Sequence, residues 1–324
     1  MPAFPLRALA GACLLTLLCH AAGAAEAYPA HPVQVVVPFP PGGNIDVSAR
    51  VISQAMGQAL GQPLVIDNRA GAGGTIGATT VVKSKPDGYT LLVAGSTVSI
   101  APYVYKNVPY DPTRDLIPIG GIQTVPMVLT AAPKTPVTNL ADLRAYSRTK
   151  GGHVSVGTSG AGSAPHLALE QIVHDAHVAL EHVPYKGGAP ALTDLLGSQI
   201  DMMVDQLNTS LQYIRDGRIK AVAQLGRERS PLIANVPTLA EQGVPGFDVV
   251  TYVGVFAPAG VAPDVQARLV GALAAALAKP EVKKQFSDMG AAVFQMNQAQ
   301  FKAFVAADIA KSKAIAASAH IIVE

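Results

Sequence analysis

The segment VVVPFPPGGNID at residues 35–46 combines a strand, a glycine turn and the start of a helix. Its β-branched run predicts a buried strand, and the prolines and Gly42–Gly43 that follow predict a turn. A helical pattern then runs from Asp46 to Leu60. This order leaves unpaired backbone N–H groups at the positive end of a helix dipole, which predicts a site for an anionic group.

A second turn of the same kind follows at residues 71–75, with the sequence GAGGT, again before a helical stretch. Two such turns suggest a carboxylate or phosphate ligand. Taken alone, their glycines would also fit turns that only need positive φ. A dinucleotide site is not favoured, because the third glycine of the fingerprint is misplaced and no acidic residue follows at the right distance.

The first residues predict an export signal. Arg7 precedes an apolar run at residues 8–18, and Ala22–Gly23–Ala24 has the form of a cleavage site. We therefore expect a signal peptide over residues 1–24, cleaved near Ala24, and a periplasmic location.

Both cysteines, Cys13 and Cys19, fall inside this leader. A lipoprotein site at Cys13 is the less favoured alternative, because the apolar run ahead of it is very short. After cleavage the chain would contain no cysteine, so neither disulfides nor thiol chemistry would support the fold or the function.

The composition narrows the classes of partner. The chain of 324 residues is 49% hydrophobic and 14% charged, with 24 basic against 22 acidic residues. This balance is not typical of proteins that bind nucleic acid or an anionic membrane. Tryptophan is absent and aromatic residues make up 5%, which disfavours stacking platforms for single strands.

Strand-like and helix-like segments alternate along the chain, which predicts an α/β fold with mostly parallel sheets and helices on both faces. An isolated strand at residues 253–257 opens the tail, so we expect the tail to return to the first unit. The prediction is an N-terminal lobe of residues 25–124 plus 251–324 and a second lobe of residues 125–250. Two crossings between the lobes would form a hinge, with a cleft that closes on a ligand.

A series of ordered motifs resembles the Bug-type solute receptors of tripartite tricarboxylate transport. These motifs are PFPPGG-x-x-D at 38–46, DNR-x-GAGG-x-x-G at 67–77, PDGYTLL at 86–92, G-x-GS-x-x-HLA at 160–168, PYKGG at 184–188, PAL-x-DLL at 190–196 and VFAPAG at 255–260.

The resemblance implies an exported receptor with the two-lobed periplasmic-binding-protein fold, which closes like a flytrap on a small carboxylate. It implies that one ligand carboxylate is held on the two N-terminal turns, partly through ordered water. It also implies membrane transporter subunits as partners, no cofactor and no catalysis. Tyr252 stands where such receptors often have tryptophan.

The candidate ligand-binding residues come from both turns, from strand ends and from the motifs of the second lobe. They are Phe39, Pro41, Gly42, Gly43, Asp46, Ala72, Gly73, Gly74, Thr75, Ser96, Gln123, Ser159, Gly162, Ser163, His166, Tyr185, Lys186, Gly187 and Asp205.

Three of these candidates have a purely structural alternative. His166 would serve equally as a helix residue hydrogen-bonded to its own scaffold, Asp205 as a strand-end cap, and Lys186 in a surface salt bridge.

The residues do not identify the ligand among amino acids, dicarboxylates, tricarboxylates and aromatic acids. Metal binding by His174, His177 and His182 is not favoured, because no carboxylate or cysteine completes a motif.

Two other functions remain open. Residues 157–161, GTSGA, differ by one position from a nucleophile elbow, so a secreted serine hydrolase using Ser159 is one alternative. Against it, His166 lies only seven residues later, whereas the histidine of an elbow comes far downstream. The other alternative is a protein that presents the same ligand to a membrane sensor kinase.

Overall fold

The computed structural model describes residues 28–318, so the predicted signal peptide lies outside the described residues. Its strands are β1 (Val33–Val37), β2 (Leu64–Asn68), β3 (Thr90–Gly95), β4 (Leu116–Ala131), β5 (Ser155–Thr158), β6 (Glu181–Pro184), β7 (Met202–Gln206), β8 (Lys220–Gln224), β9 (Val250–Pro258) and β10 (Ala292–Val293). Its helices are α1 (Asn44–Leu60), α2 (Thr75–Val82), α3 (Thr97–Val104), α4 (Leu140–Thr149), α5 (Ala164–Asp175), α6 (Gly188–Leu196), α7 (Leu207–Arg215), α8 (Pro263–Ala278), α9 (Pro280–Asp288) and α10 (Gln298–Ser318).

The strands form two sheets that share β4. The path of neighbouring strands is β2-β1-β3-β9-β4-β7-β5-β6, and β8 and β10 also pair with β4. Strands β1, β2 and β3 are parallel, and so are β5, β6 and β7. Both sheets are nevertheless mixed rather than mostly parallel, because β9 runs antiparallel to β3 and β4 runs antiparallel to β7 and β8.

Strand β4 passes from one sheet to the other without interruption. Its residues 116–126 pair with β9, and its residues 127–131 pair with β7 and β8. Strand β9 begins with Val250 opposite Pro126 and then pairs with β3. The C-terminal part of the chain therefore rejoins the sheet that the N-terminal residues form.

Helices cover both faces of each sheet, which confirms the predicted α/β class and two-lobed architecture. In the first lobe, α1 and α8 bury residues such as Ile52 and Leu273 on one face, while α3 and α10 cover the other with Val98 and Phe301. In the second lobe, α4 and α5 pack on one face and α6 on the other. Within residues 28–318, no helix combines the length and the apolar character that a membrane crossing requires.

Local sequence signals explain where several helices begin. The side chain of Asn139 accepts a hydrogen bond from the N–H of Asp142 and so caps α4. Ser163 caps α5 in the same way, with a proline in the first turn. Helix α3 was not predicted from the sequence, since its eight apolar-rich residues include Pro102.

Candidate ligand-binding site

A cavity of about 30 Å³ lies between the two lobes, close to both crossing strands. It is far smaller than the ~300–1,000 Å³ of most small-molecule pockets. Its lining residues are Phe39, Gly43, Asn44, Ile45, Gly95, Ser96, Thr97, Ser159, Ala164, Pro165, Gly188, Gln206, Thr251 and Tyr252.

Five helices direct their N-terminal ends at this cavity. The first lobe contributes the starts of α1 and α3, and the second lobe contributes the starts of α5, α6 and α7. The first N–H groups of a helix have no partner within it, and the helix dipole adds a partial positive charge there. None of the residues that line the cavity carries a formal charge. The site thus offers positive potential through backbone groups rather than through lysine or arginine.

Polar side chains add hydrogen-bonding capacity from both lobes. Ser96 and Thr97 in the first lobe and Gln206 in the second are buried, and within residues 28–318 none of the three side chains makes a hydrogen bond. Ser159 also lines the cavity, at the end of β5. The polar atoms of these side chains open on the cavity and have no partner among the described residues, so they are suited to contact a polar ligand.

Asp46 holds the first turn in place from behind. Its carboxylate accepts hydrogen bonds from the N–H of Gly42 at 2.9 Å and from Arg50 Nε at 2.8 Å. It also accepts one from Asn68 Nδ2 at 2.9 Å, and the same nitrogen donates to the carbonyl of Phe39. Burial pushes the pKa of Asp46 upward, but the hydrogen bonds from Arg50, Gly42 and Asn68 outweigh it and hold the pKa below its usual value. Asp46 does not line the cavity.

The second glycine turn also supports the site rather than lining it. Ala72, Gly73 and Gly74 adopt positive φ angles of 45°, 59° and 97°. A Cβ built on Gly74 would lie 3.4 Å from Phe39 and 3.4 Å from Thr97, both of which line the cavity. The turn therefore packs against the back of the cavity wall, and Thr75 closes it by donating to the carbonyl of Ala72.

His166 is held by its own scaffold. Its Nδ1 accepts a hydrogen bond from the N–H of Gly162 at 3.0 Å, and its Nε2 lies 3.3 Å from Glu170. Its ring stacks on His182 at 3.9 Å. The hydrogen bond to His166 lowers the pKa of Glu170, and burial lowers the pKa of His182 to about 4. Since both nitrogens of His166 are engaged, it is not placed to act as a base for Ser159.

Most of the other predicted residues of the second lobe lie behind the lining. Asp205 is buried and accepts hydrogen bonds from the hydroxyl groups of Thr209 and Ser210 at the start of α7. Burial raises the pKa of Asp205, and these hydrogen bonds only partly offset the rise. The hydroxyl of Tyr185 donates to Asp194 at 2.6 Å. Neither Asp205 nor Tyr185 lines the cavity, and the same is true of Pro41, Gly42, Ser163, Lys186 and Gly187.

Direct contacts join the lobes around the cavity. Nδ2 of Asn208 in the second lobe donates to Oδ1 of Asn44 at 2.7 Å, and Nε2 of Gln123 donates to the same oxygen at 2.9 Å. On the other side, the hydroxyl of Tyr105 donates to the carbonyl of Ala161. The two lobes are therefore closed against each other.

The sequence analysis missed lining residues that lie at helix starts. They are Asn44, Ile45, Thr97, Ala164, Pro165, Gly188 and Gln206, to which the strand residues Gly95, Thr251 and Tyr252 are added. The rule that binding sites form at the carboxyl ends of strands would have found Gln206, which is the last residue of β7.

Comparison with known proteins identifies the family. A family model described as the tripartite tricarboxylate transporter family receptor, TctC, matches residues 48–320. The chain belongs to this receptor family. The match confirms the resemblance drawn from the sequence motifs. The members of this family are periplasmic solute-binding proteins and not enzymes.

The relatives of this receptor include Protein BugT of Bordetella pertussis, which is 37% identical over 306 residues and spans 94% of each chain. The periplasmic binding protein BugD superposes with a TM-score of 0.87 at 37% identity, covering 91% of this chain and 99% of that one. MatC from Rhodopseudomonas palustris, solved with bound malate, gives a TM-score of 0.83 at 33% identity, covering 89% and 99%. An R. palustris protein solved with adipate gives a TM-score of 0.87 at 33% identity, covering 91% of this chain and 99% of that one.

The carboxylate of Asp46 provides a first test of the turn. In Asp46→Asn an amide nitrogen would face other donors, so we expect the free energy of unfolding at pH 7 to fall by about 1–3 kcal/mol in urea titrations. Because the native pKa of Asp46 is depressed, its contribution to stability is present at neutral pH and is lost as the pH falls through that pKa. The difference in the free energy of unfolding between Asp46→Asn and wild type should therefore become smaller as the pH is lowered.

Asp288→Asn is the matched control, because Asp288 is an exposed carboxylate paired with Lys284. It should change the free energy of unfolding by less than about 1 kcal/mol. Equal stability of Asp46→Asn and wild type at pH 7 would contradict the role given to Asp46.

Proposed function

We propose that this receptor captures a small organic carboxylate in the cavity between its lobes and delivers it to a tripartite tricarboxylate-type membrane transporter. The convergence of five helix N-termini on an interlobe cavity, with no charged side chain in its lining, carries the proposal. Two neighbours at 33% identity, solved with malate and with adipate, support a carboxylate ligand.

Fixed N–H groups suit reversible capture of an anion. Charge-assisted hydrogen bonds replace the hydration shell of a carboxylate, and the exclusion of water strengthens them. Because the donors belong to the backbone of rigid helices, little entropy is lost when they bind. In this proposal Gly43, Ser96 and Thr97 hold one end of the ligand from the first lobe, while Ser159 and Gln206 contact it from the second.

The size of the cavity requires the lobes to separate before a ligand enters. We propose lobes of residues 25–124 plus 251–324 and of residues 125–250, with β4 and β9 as the hinge strands. Two strands that link rigid lobes allow opening on the microsecond-to-millisecond timescale.

We also propose that residues 1–24 are a signal peptide that directs the receptor to the periplasm. Mass spectrometry of periplasmic material should then show an N-terminus close to Ala25 or Tyr28, without lipid. A mature protein that begins with a diacylated Cys13 would contradict this cleavage.

A thermal-shift panel tests the ligand class. Malate, adipate and citrate are compared with their uncharged amides, and at least one acid should raise the melting temperature where its amide does not. At a hundred times Kd the stabilisation is about 2.7 kcal/mol. A panel in which no organic acid raises the melting temperature would contradict the proposal.

Gly43→Val locates the anion site. Gly43 has an ordinary φ of −81°, and a Cβ there would meet nothing closer than the carbonyl of Pro40 at 4.0 Å, so the variant should fold normally. The added side chain would block approach to the N–H groups of α1, and the loss of two charge-assisted hydrogen bonds should weaken binding by roughly a hundredfold in calorimetry. Gly226→Val is the control, since Gly226 lies outside the cavity and its Cβ would have 3.8 Å of clearance. Unchanged affinity in Gly43→Val would place the anion elsewhere.

Gly187→Ala tests closure. The backbone of Gly187 is extended, so alanine is tolerated locally, but its Cβ would lie 2.6 Å from Cδ of Pro40 in the other lobe. The added methyl group would destabilise only the closed state, by about 1–3 kcal/mol, which should weaken binding by about 5- to 150-fold. In small-angle scattering, ligand should reduce the radius of gyration of wild type and of the control Gly197→Ala more than that of Gly187→Ala. Equal reductions would contradict closure at this contact.

A further inference from the structure

A second cavity, of about 340 Å³, lies behind the hinge and shares a wall with the ligand cavity. Thr251 and Tyr252 of β9 line both cavities. The rest of its lining comes from β4, from β9 and the residues before it, from the residue after β10 and from the C-terminal helix: Thr124, Asp248, Val250, Phe294, Phe304, Ala307, Asp308 and Lys311.

Asp308 places a carboxyl group in this cavity, close to Tyr252. The carboxyl interacts with the hydroxyl groups of Ser99 and Tyr252, which lie 3.3 Å from each other. Its Oδ2 is buried and has no hydrogen-bond partner within the described residues. The rings of Phe304 and Phe294 stand 5.0 and 6.4 Å from that of Tyr252. An ionised carboxylate here would be poorly solvated.

Burial raises the pKa of Asp308 to about 6, and the hydroxyl groups of Ser99 and Tyr252, together with Lys311, only partly offset the rise. The pKa of Tyr252 is raised well above its usual value by burial and by Asp308, so Tyr252 remains neutral. Two other charged groups line this cavity: Lys311, which lowers the pKa of Asp308, and Asp248, which is exposed and accepts the N–H of Arg227. Asp308 is therefore the half-buried group behind this wall whose charge changes near neutral pH.

The contacts of Asp308 lead directly to the ligand cavity. Ser99 lies in the first turn of α3, whose starting residues Ser96 and Thr97 line that cavity. Tyr252 belongs to the crossing strand β9 and lines the cavity itself. A negative charge on Asp308 thus opposes the positive end of α3, the end that faces an anionic ligand.

We infer that Asp308 is a positioning residue that couples ligand binding to proton uptake, acting through Ser99 and Tyr252 on the wall of the cavity. The inference rests on the proposed function, since it requires an anionic ligand. The bound anion disfavours a second negative charge nearby, so binding raises the affinity of Asp308 for its proton. The receptor binds most tightly when Asp308 is protonated, and affinity falls as the pH rises through its ionisation.

Calorimetry between pH 5 and pH 8 tests this coupling in wild type, Asp308→Asn and the control Asp248→Asn, with the acid that gives the largest thermal shift among malate, adipate and citrate. We expect Kd of the wild type and of the control to rise roughly three- to tenfold more than that of Asp308→Asn over this range. Ionisation of the ligand acid over this pH range changes the Kd of all three proteins equally. Binding should also take up protons in the wild type more than in Asp308→Asn, as measured in two buffers of different ionisation enthalpy.

Ser99→Ala separates this role from a merely structural one. The hydroxyl of Ser99 lowers the pKa of Asp308, so its removal should move the midpoint of the pH dependence to higher pH. An unshifted midpoint, or the same pH dependence in Asp308→Asn as in wild type, would overturn the inference while leaving carboxylate binding intact. Absence of binding by any of the three acids at every pH would overturn the proposed function and the inference together.

Discussion

The shared strand β4 is the constraint on which the rest of the structure depends. Residues 116–126 of β4 lie in one sheet and residues 127–131 lie in the other, so β4 links the two sheets directly and without a loop. Strand β9 pairs alongside it, so two adjacent strands fix the distance between the lobes at one edge only. The carboxyl ends of the parallel strands in each lobe then face the same gap. The helices that follow these strands start in the gap, which is why five N-termini meet there.

The gap obtains its positive potential without a cation. Two carboxylates close behind the lining do not reach the gap: Asp46 holds the first turn together with Arg50, and Asp205 accepts the hydroxyl groups of Thr209 and Ser210. A lysine or arginine would supply more attraction, but it would also carry its own hydration and its own counterion. Partial charges on fixed amides give moderate attraction with defined direction. This arrangement is consistent with a receptor that must release what it captures.

The sequence predicted those parts of the fold that local signals control. Helices α4 and α8 begin at signals of this kind, a capping asparagine at Asn139 and an initial proline at Pro263. Helix α3 was missed because Pro102 interrupts its pattern, and β6 because four partly polar residues carry no periodicity. The site was predicted in outline. Gly43, Ser96, Phe39 and Ser159 line the cavity, but Asp46, the second turn and His166 support it from behind. Sequence patterns locate turns and caps, whereas only tertiary packing determines which side of a turn faces the gap.

The backbone origin of the helix-end donors has a consequence for how such a chain tolerates change. No side-chain replacement deletes an N–H group, except one by proline, which the start of a helix accepts readily. Alanine scanning of the lining would therefore report few large losses, even if these amides supply most of the attraction for an anion. Homologous chains are free to vary the lining side chains at such positions, and so to alter the shape of the gap, while the dipoles at its ends persist. Differences in ligand preference among such proteins would then lie in the side chains around the gap, while the backbone N–H groups that face the anion would stay the same.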